Sequence, residues 1–102
     1  MDSIRVVLNA EKIRTRPKYR YDYGQVLEID GVGAAVVDIC NAGDQYAETV
    51  TGQNGRVAIP DKFFEDGRDI VVYVVKQTER YRITTNVITI PIIERSAADR
   101  GT

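Results

Sequence analysis

The sequence predicts an all-β fold, a two-sheet sandwich of about seven short strands with one helical turn near 61–66. Four observations carry this. Val, Ile, Thr and Tyr dominate the apolar runs, Gly and Asn sit between them, and Pro occurs only at Pro17, Pro60 and Pro91. The strand-like runs also recur about every ten residues, with turn chemistry between them. No heptad pattern, internal repeat or low-complexity tract competes with this reading.

The elements follow in order. Ile4, Val6 and Leu8 alternate with Arg5, Val7 and Asn9, which gives the first strand one apolar face. Glu11 to Lys18 is basic and contains Pro17, so it reads as an extended edge or loop. Tyr19, Tyr21 and Tyr23 then share one face of a strand that Gly24 ends. Gln25 to Asp30 forms the next, with Leu27 and Ile29 on one side, and the permissive turn Asp30-Gly31-Val32-Gly33 leads into the apolar run Ala35 to Cys40, a central strand. After the turn Asn41-Ala42-Gly43-Asp44, Tyr46 to Thr51 and Arg56 to Ile59 flank Gln53-Asn54-Gly55, which predicts a hairpin. Asp61 is placed to cap a single helical turn that drops Phe63 or Phe64 onto the open end of the sandwich, with Gly67 ending it. Ile70 to Lys76 and Arg80 to Ile93 form an antiparallel pair across Gln77-Thr78-Glu79. Pro91 cannot donate to a ladder, so the last strand is an edge there or leaves the sheet. This spacing is that of an immunoglobulin-like sandwich over 1–95, followed by a small, polar tail or linker start over 96–102. A small barrel is the other architecture that fits.

Composition narrows function mainly by exclusion. The 102 residues include no His, no Trp and a single Cys40. Catalytic machinery built on histidine cannot be written, and one cysteine closes neither an intrachain disulfide nor a thiolate metal site. Ser3 and Ser96 are the only serines, both near the ends. The expectation is therefore a protein without catalytic residues, cofactor or metal. The longest apolar runs have strand length and the first residues, Met1-Asp2-Ser3-Ile4-Arg5, carry no leader pattern, which predicts no membrane span and folding in a cytoplasm. Glu28 and Asp30 share a strand face but match no calcium loop, and two such acids are ordinarily the solvated side. Gly31-Val32-Gly33 lacks the remainder of a dinucleotide fingerprint.

Charge is uneven beneath a net −1: residues 1–20 hold six basic side chains against two acids, and residues 21–102 hold eight against thirteen. Cations next to tyrosines are ingredients of single-stranded nucleic-acid binding, but a mildly acidic chain argues against that use. The sequence instead points to contact surfaces on sheet edges: Arg14, Arg16, Lys18 and Arg20 with Tyr19 and Tyr21 on one, and Ile90 and Ile92 within Ile88–Ile93 on the other. No small-molecule substrate is expected. The alternative is a carbohydrate- or surface-binding module that uses the tyrosines as platforms.

The order of segments also resembles a known family. Tyr21-Asp22-Tyr23-Gly24-Gln25-Val26-Leu27-Glu28-Ile29, then Cys40-Asn41-Ala42-Gly43-Asp44, Ile59-Pro60-Asp61, Ile70-Val71-Val72-Tyr73-Val74, Tyr81-Arg82-Ile83 and Ile90-Pro91-Ile92 are similar in sequence order to the immunoglobulin-like N-terminal domain of virion structural proteins of tailed bacteriophages and prophages. The resemblance implies an attachment module of a fibre, baseplate or head-associated component. It would be located in the virion, contact other virion proteins and form a homo-oligomer in the particle. Relatives usually continue into a proline-rich basic linker, whereas Ser96-Ala97-Ala98-Asp99 has no proline. Both a self-contained subunit and an excised anchor fit that ending.

Overall fold

The structure, a computed structural model, describes residues 3–94. It contains ten short strands in three open sheets and one 3-10 turn. The strands are β1 (Ser3–Val6), β2 (Lys12–Arg14), β3 (Lys18–Tyr19), β4 (Val26–Ile29), β5 (Ala35–Asn41), β6 (Glu48–Gly52), β7 (Arg56–Ala58), β8 (Ile70–Gln77), β9 (Arg82–Ile90) and β10 (Ile92–Ile93). Sheet order is β1-β4-β7 in one layer and β2-β9-β8-β5-β6 in the other, with β3 and β10 as a two-stranded ribbon. The fold is all-β, and its sheets are open rather than closed into a barrel.

Alternation determines which side chains meet between the layers. Ile4 and Val6 of β1, Leu27 and Ile29 of β4, and Val57 of β7 face Val37 and Ile39 of β5, Ile70 and Val72 of β8, and Ile88 and Ile90 of β9 in one continuous core. Phe63 and Phe64 join the same core from the 3-10 turn Asp61–Phe64, as expected of that segment. Asn41, buried at the end of β5, donates from Nδ2 to the carbonyls of Phe63 at 2.9 Å and Arg68 at 3.2 Å, which fastens the turn to the sheet.

Four features differ from the sequence expectation, each with a local cause. Tyr19, Tyr21 and Tyr23 do not form a strand face, because Tyr21 adopts φ +68°, its N–H bonding to the Phe64 carbonyl, and the chain turns there. Asn54 (φ +55°) and Gly55 (φ +71°) form the expected turn, but its arms diverge: β6 pairs with β5 and β7 with β4, so one isolated bridge, Gln53 with Arg56, remains of the hairpin. Pro60, not Asp61, precedes the 3-10 turn, and the Asp61 carboxylate instead accepts the Gly24 N–H at 3.0 Å. Pro91 ends β9 as expected, the chain passing into the ribbon with β3, but just before it β9 is an interior strand between β2 and β8 and not an edge. The 96–102 tail lies outside the described residues.

Candidate interaction surface

The predicted apolar edge at Ile88–Ile93 is not exposed. Ile90 is 0% exposed and Ile92 8%, both within the core, so neither is available to a partner; Ile93, on the opposite face, is 41% exposed. The reason is that these side chains point into the core between the layers, while β2 takes the edge of β9 from Val87 to Thr89 and β3 pairs with β10.

The free edge of β9 lies at its other end. β2 stops opposite Val87 and Asn86 is tied by its Nδ2 to the Ala10 carbonyl at 2.7 Å, so Arg82 to Thr85 have β8 on one side and no described strand on the other, with Thr85 the extra residue of a bulge opposite Val74 and Val75. This stretch carries an exposed Ile83 (46%), with Thr84 and Thr85 also exposed. The Arg82 guanidinium holds it in place by reaching across β8 to the Asp38 carboxylate of β5, with bonds of 2.6 and 2.8 Å, while Thr49 of β6 donates to the same carboxylate at 2.7 Å. The Arg82 bond, followed by that from Thr49, holds the Asp38 pKa below the usual carboxylate value. Sequence periodicity registers Arg80 to Ile93 as one strand and cannot tell which half acquires a neighbour.

The cations of the basic segment fall into two groups. Arg20 is used internally: its Nε donates to the Glu65 carbonyl at 2.8 Å, its Nη1 to Glu94 at 2.8 Å, and its guanidinium lies 4.9 Å from the Tyr21 ring centre. Arg14, Arg16 and Lys18 instead line a cleft of about 420 Å³ together with Ser3, Arg5 and Thr15. Arg5 is an addition the sequence reading missed, because it belongs to the first strand and comes near the others only through the fold. It has a long contact of 3.4 Å with Asp30. Arg14, Arg16 and Lys18 have no ion pair among the described residues.

The tyrosines make a poor stacking platform. Tyr21 and Tyr23 meet edge to face at 6.3 Å and 83°, and Arg20 occupies one face of Tyr21. Tyr19 is half-buried in the ribbon. Burial followed by a hydrogen bond with Glu65 raises the Tyr23 pKa. A hollow of about 650 Å³ is an open apolar depression between the turn after β4 and the β8–β9 hairpin, with Lys76 as its one charged side chain. Cys40 is buried, and that burial raises its thiol pKa. Among the described residues no group of three His, Cys, Asp or Glu side chains is placed to hold a metal ion, and no helix is long and apolar enough to cross a membrane. The chain matches no protein-family model and no curated protein.

Proposed function

We propose that this chain is a non-catalytic attachment module, an immunoglobulin-like sandwich of the kind that opens virion structural proteins of tailed phages, working through protein–protein contacts at its sheet edges. The observation that carries the reading is the free edge of β9 from Arg82 to Thr85. An uncovered edge displays backbone donors and acceptors to any chain that can add a strand, and exposed Ile83, Thr84 and Thr85 give that strand β-prone neighbours to pack on. The Arg82–Asp38 clip orders the edge before a partner arrives, which lowers the entropy cost of docking. Two sheets packed on a shared core, with β4–β7 antiparallel in one and β5–β8–β9 antiparallel in the other, support the immunoglobulin-like assignment, whereas the parallel β1–β4 pair departs from the simplest form of it. The attachment reading includes association with further copies and with other virion proteins.

The test places charge on the edge. Ile83→Lys/Thr85→Lys should remain folded by circular dichroism, because both side chains are exposed, yet fail to appear on tailed particles by immunogold electron microscopy while the unmodified chain does. Absence of the unmodified chain from particles, or undiminished incorporation of the double variant, would overturn the reading. The carbohydrate-binding alternative predicts saturable sugar binding by calorimetry that Tyr21→Ala abolishes.

A further inference from the structure

We propose that the cleft between β1 and the Arg14–Lys18 segment takes an extended, acid-rich peptide segment of a partner chain. This rests on the reading of the chain as an attachment module and adds a specific site and ligand chemistry to it.

The first argument is the distribution of unneutralised charge. Six of the described cations, Arg5, Arg20, Arg56, Lys62, Arg68 and Arg82, have a carboxylate within ion-pair distance. Of the rest, Lys12, Arg14, Arg16 and Lys18 lie within seven consecutive positions, and three of them line one cleft with Arg5. No acidic side chain lines that cleft. Crowding like charges around a concavity costs folding energy through repulsion, and an incoming anion relieves that cost.

The second argument concerns the shape of the anion. β1 is an edge strand, paired with β4 on one side only. The Val6 carbonyl accepts from Asp30 N–H at 2.9 Å, so Val6 directs its backbone groups toward β4, and by alternation those of Arg5 face the open side. Ser3 and Arg5 of this edge line the cleft. Opposite them, Arg14, Arg16 and Lys18 place three cations within five residues along the rim. A strand added to β1 that carries acids can use both walls at once, its backbone on the edge and its carboxylates on the cations. A compact phosphate makes no use of the peptide edge.

The third argument separates peptide from nucleic acid. Single-strand binders combine cations with aromatic rings on which bases stack. The cleft has no aromatic lining residue, and Arg20 is bound over the Tyr21 ring.

Fluorescence anisotropy with the full chain tests this, using a labelled peptide of alternating Glu and Thr against its Gln-for-Glu counterpart. The acidic peptide should bind, the Gln peptide should not, and affinity should fall with added salt. Arg14→Gln/Arg16→Gln should weaken binding about tenfold, consistent with two exposed ion pairs, while melting like the parent. Arg80→Gln, a cation outside the cleft, should bind normally. No binding of the acidic peptide, an equal loss in Arg80→Gln, or equal competition by inorganic phosphate or a single-stranded oligonucleotide would overturn the assignment. Ile83→Lys/Thr85→Lys should bind the peptide as the parent does. If the peptide fails to bind while that double variant still blocks incorporation, the cleft assignment falls and the attachment reading stands.

Discussion

Ile90 gives the sharpest test of the packing, because an exposed edge and a core assign it opposite behaviour. Its side chain is 0% exposed, inside a cluster with Ile88, Val72 and Phe64. Replacing it by Ala removes three carbons at about 0.8 kcal/mol each, roughly 2.4 kcal/mol. A residual cavity of a few tens of Å³ at about 24 cal/mol per Å³ adds roughly 1 kcal/mol. The total of about 3.5 kcal/mol corresponds to a fall in Tm on the order of 14–28 °C for a domain of this size. Urea unfolding should show a lower midpoint with an unchanged slope, since the surface exposed on unfolding barely changes. Ile93→Ala supplies the internal control: its side chain is 41% exposed on the other face, and its loss should cost less than about 1 kcal/mol. Ile90→Lys should unfold the domain, because a buried ammonium without a partner costs several kcal/mol. A loss below about 1 kcal/mol in Ile90→Ala, or a stably folded Ile90→Lys, would refute the core assignment.

Three further outcomes follow from other contacts. Asp38→Asn should destabilise by about 1 kcal/mol at neutral pH, the Arg82 side being partly solvent-screened. Since the folded-state pKa of Asp38 is depressed, its contribution is present above the unfolded value of 3.8 and lost as pH falls through the folded value, so the gap between parent and variant should close in acid unfolding curves; a gap that persists there would sink the assignment. Gly55→Ala should lose more than about 2 kcal/mol in denaturant melts, because φ is +71° and a Cβ would lie 2.4 Å from the Ile29 carbonyl oxygen, whereas Gly31→Ala, with open space around it, should cost only about 1 kcal/mol; equal losses would contradict the close approach. Cys40 should react slowly with a thiol reagent in native protein and promptly in denaturant, and prompt native labelling would show that the end of β5 is open.

Local chemistry was legible where the nearest neighbours in sequence decide it. The period of two in Ile4-Val6, Leu27-Ile29 and Ile70-Val72-Val74 identified inward faces, and Pro91 marked the end of β9. What sequence could not supply was sheet membership. Asn54-Gly55 specifies a reversal of direction, but β6 and β7 then join different layers because their apolar side chains face the core from opposite sides. Ile88 and Ile90 read equally well as edge or core; the other layer, with Ile4, Leu27 and Val57, buries them, and β2, about 75 residues away in the chain, takes the edge of β9 beside Ile88. The basic segment was visible as composition, but its division into a structural Arg20 and a cleft-lining set was not. That division depends on Glu94 and the Glu65 carbonyl from the far side of the fold, and on Arg5 arriving from β1.

The β9 edge and the basic cleft have one origin in the path of the first twenty residues. β2 runs parallel to β9 with Lys12 opposite Val87. Continued backward in that register, residues 8–11 would cover Ile83 to Asn86 and leave no free edge. They are instead spent on the crossing from β1 in the other layer: Leu8 packs against the core, Asn9 N–H bonds back to the Val7 carbonyl, and the chain rejoins β9 where Val87 N–H meets the Glu11 carbonyl at 2.7 Å. Beyond β2 the same path runs along the rim, held to the Thr89–Pro91 segment by Thr15 N–H on the Thr89 carbonyl and Lys18 N–H on the Pro91 carbonyl. Between those anchors Arg16 projects to solvent, and Arg14, Thr15 and Lys18 complete one wall of the cleft with it, opposite the edge of β1. A strand that changes layers therefore leaves two uncovered edges, one on each sheet. Under the proposed attachment role, the β-prone edge of β9, its Arg82 charge already paired with Asp38, would take a strand of broad sequence, while the cations beside β1 would restrict that edge to an acidic one.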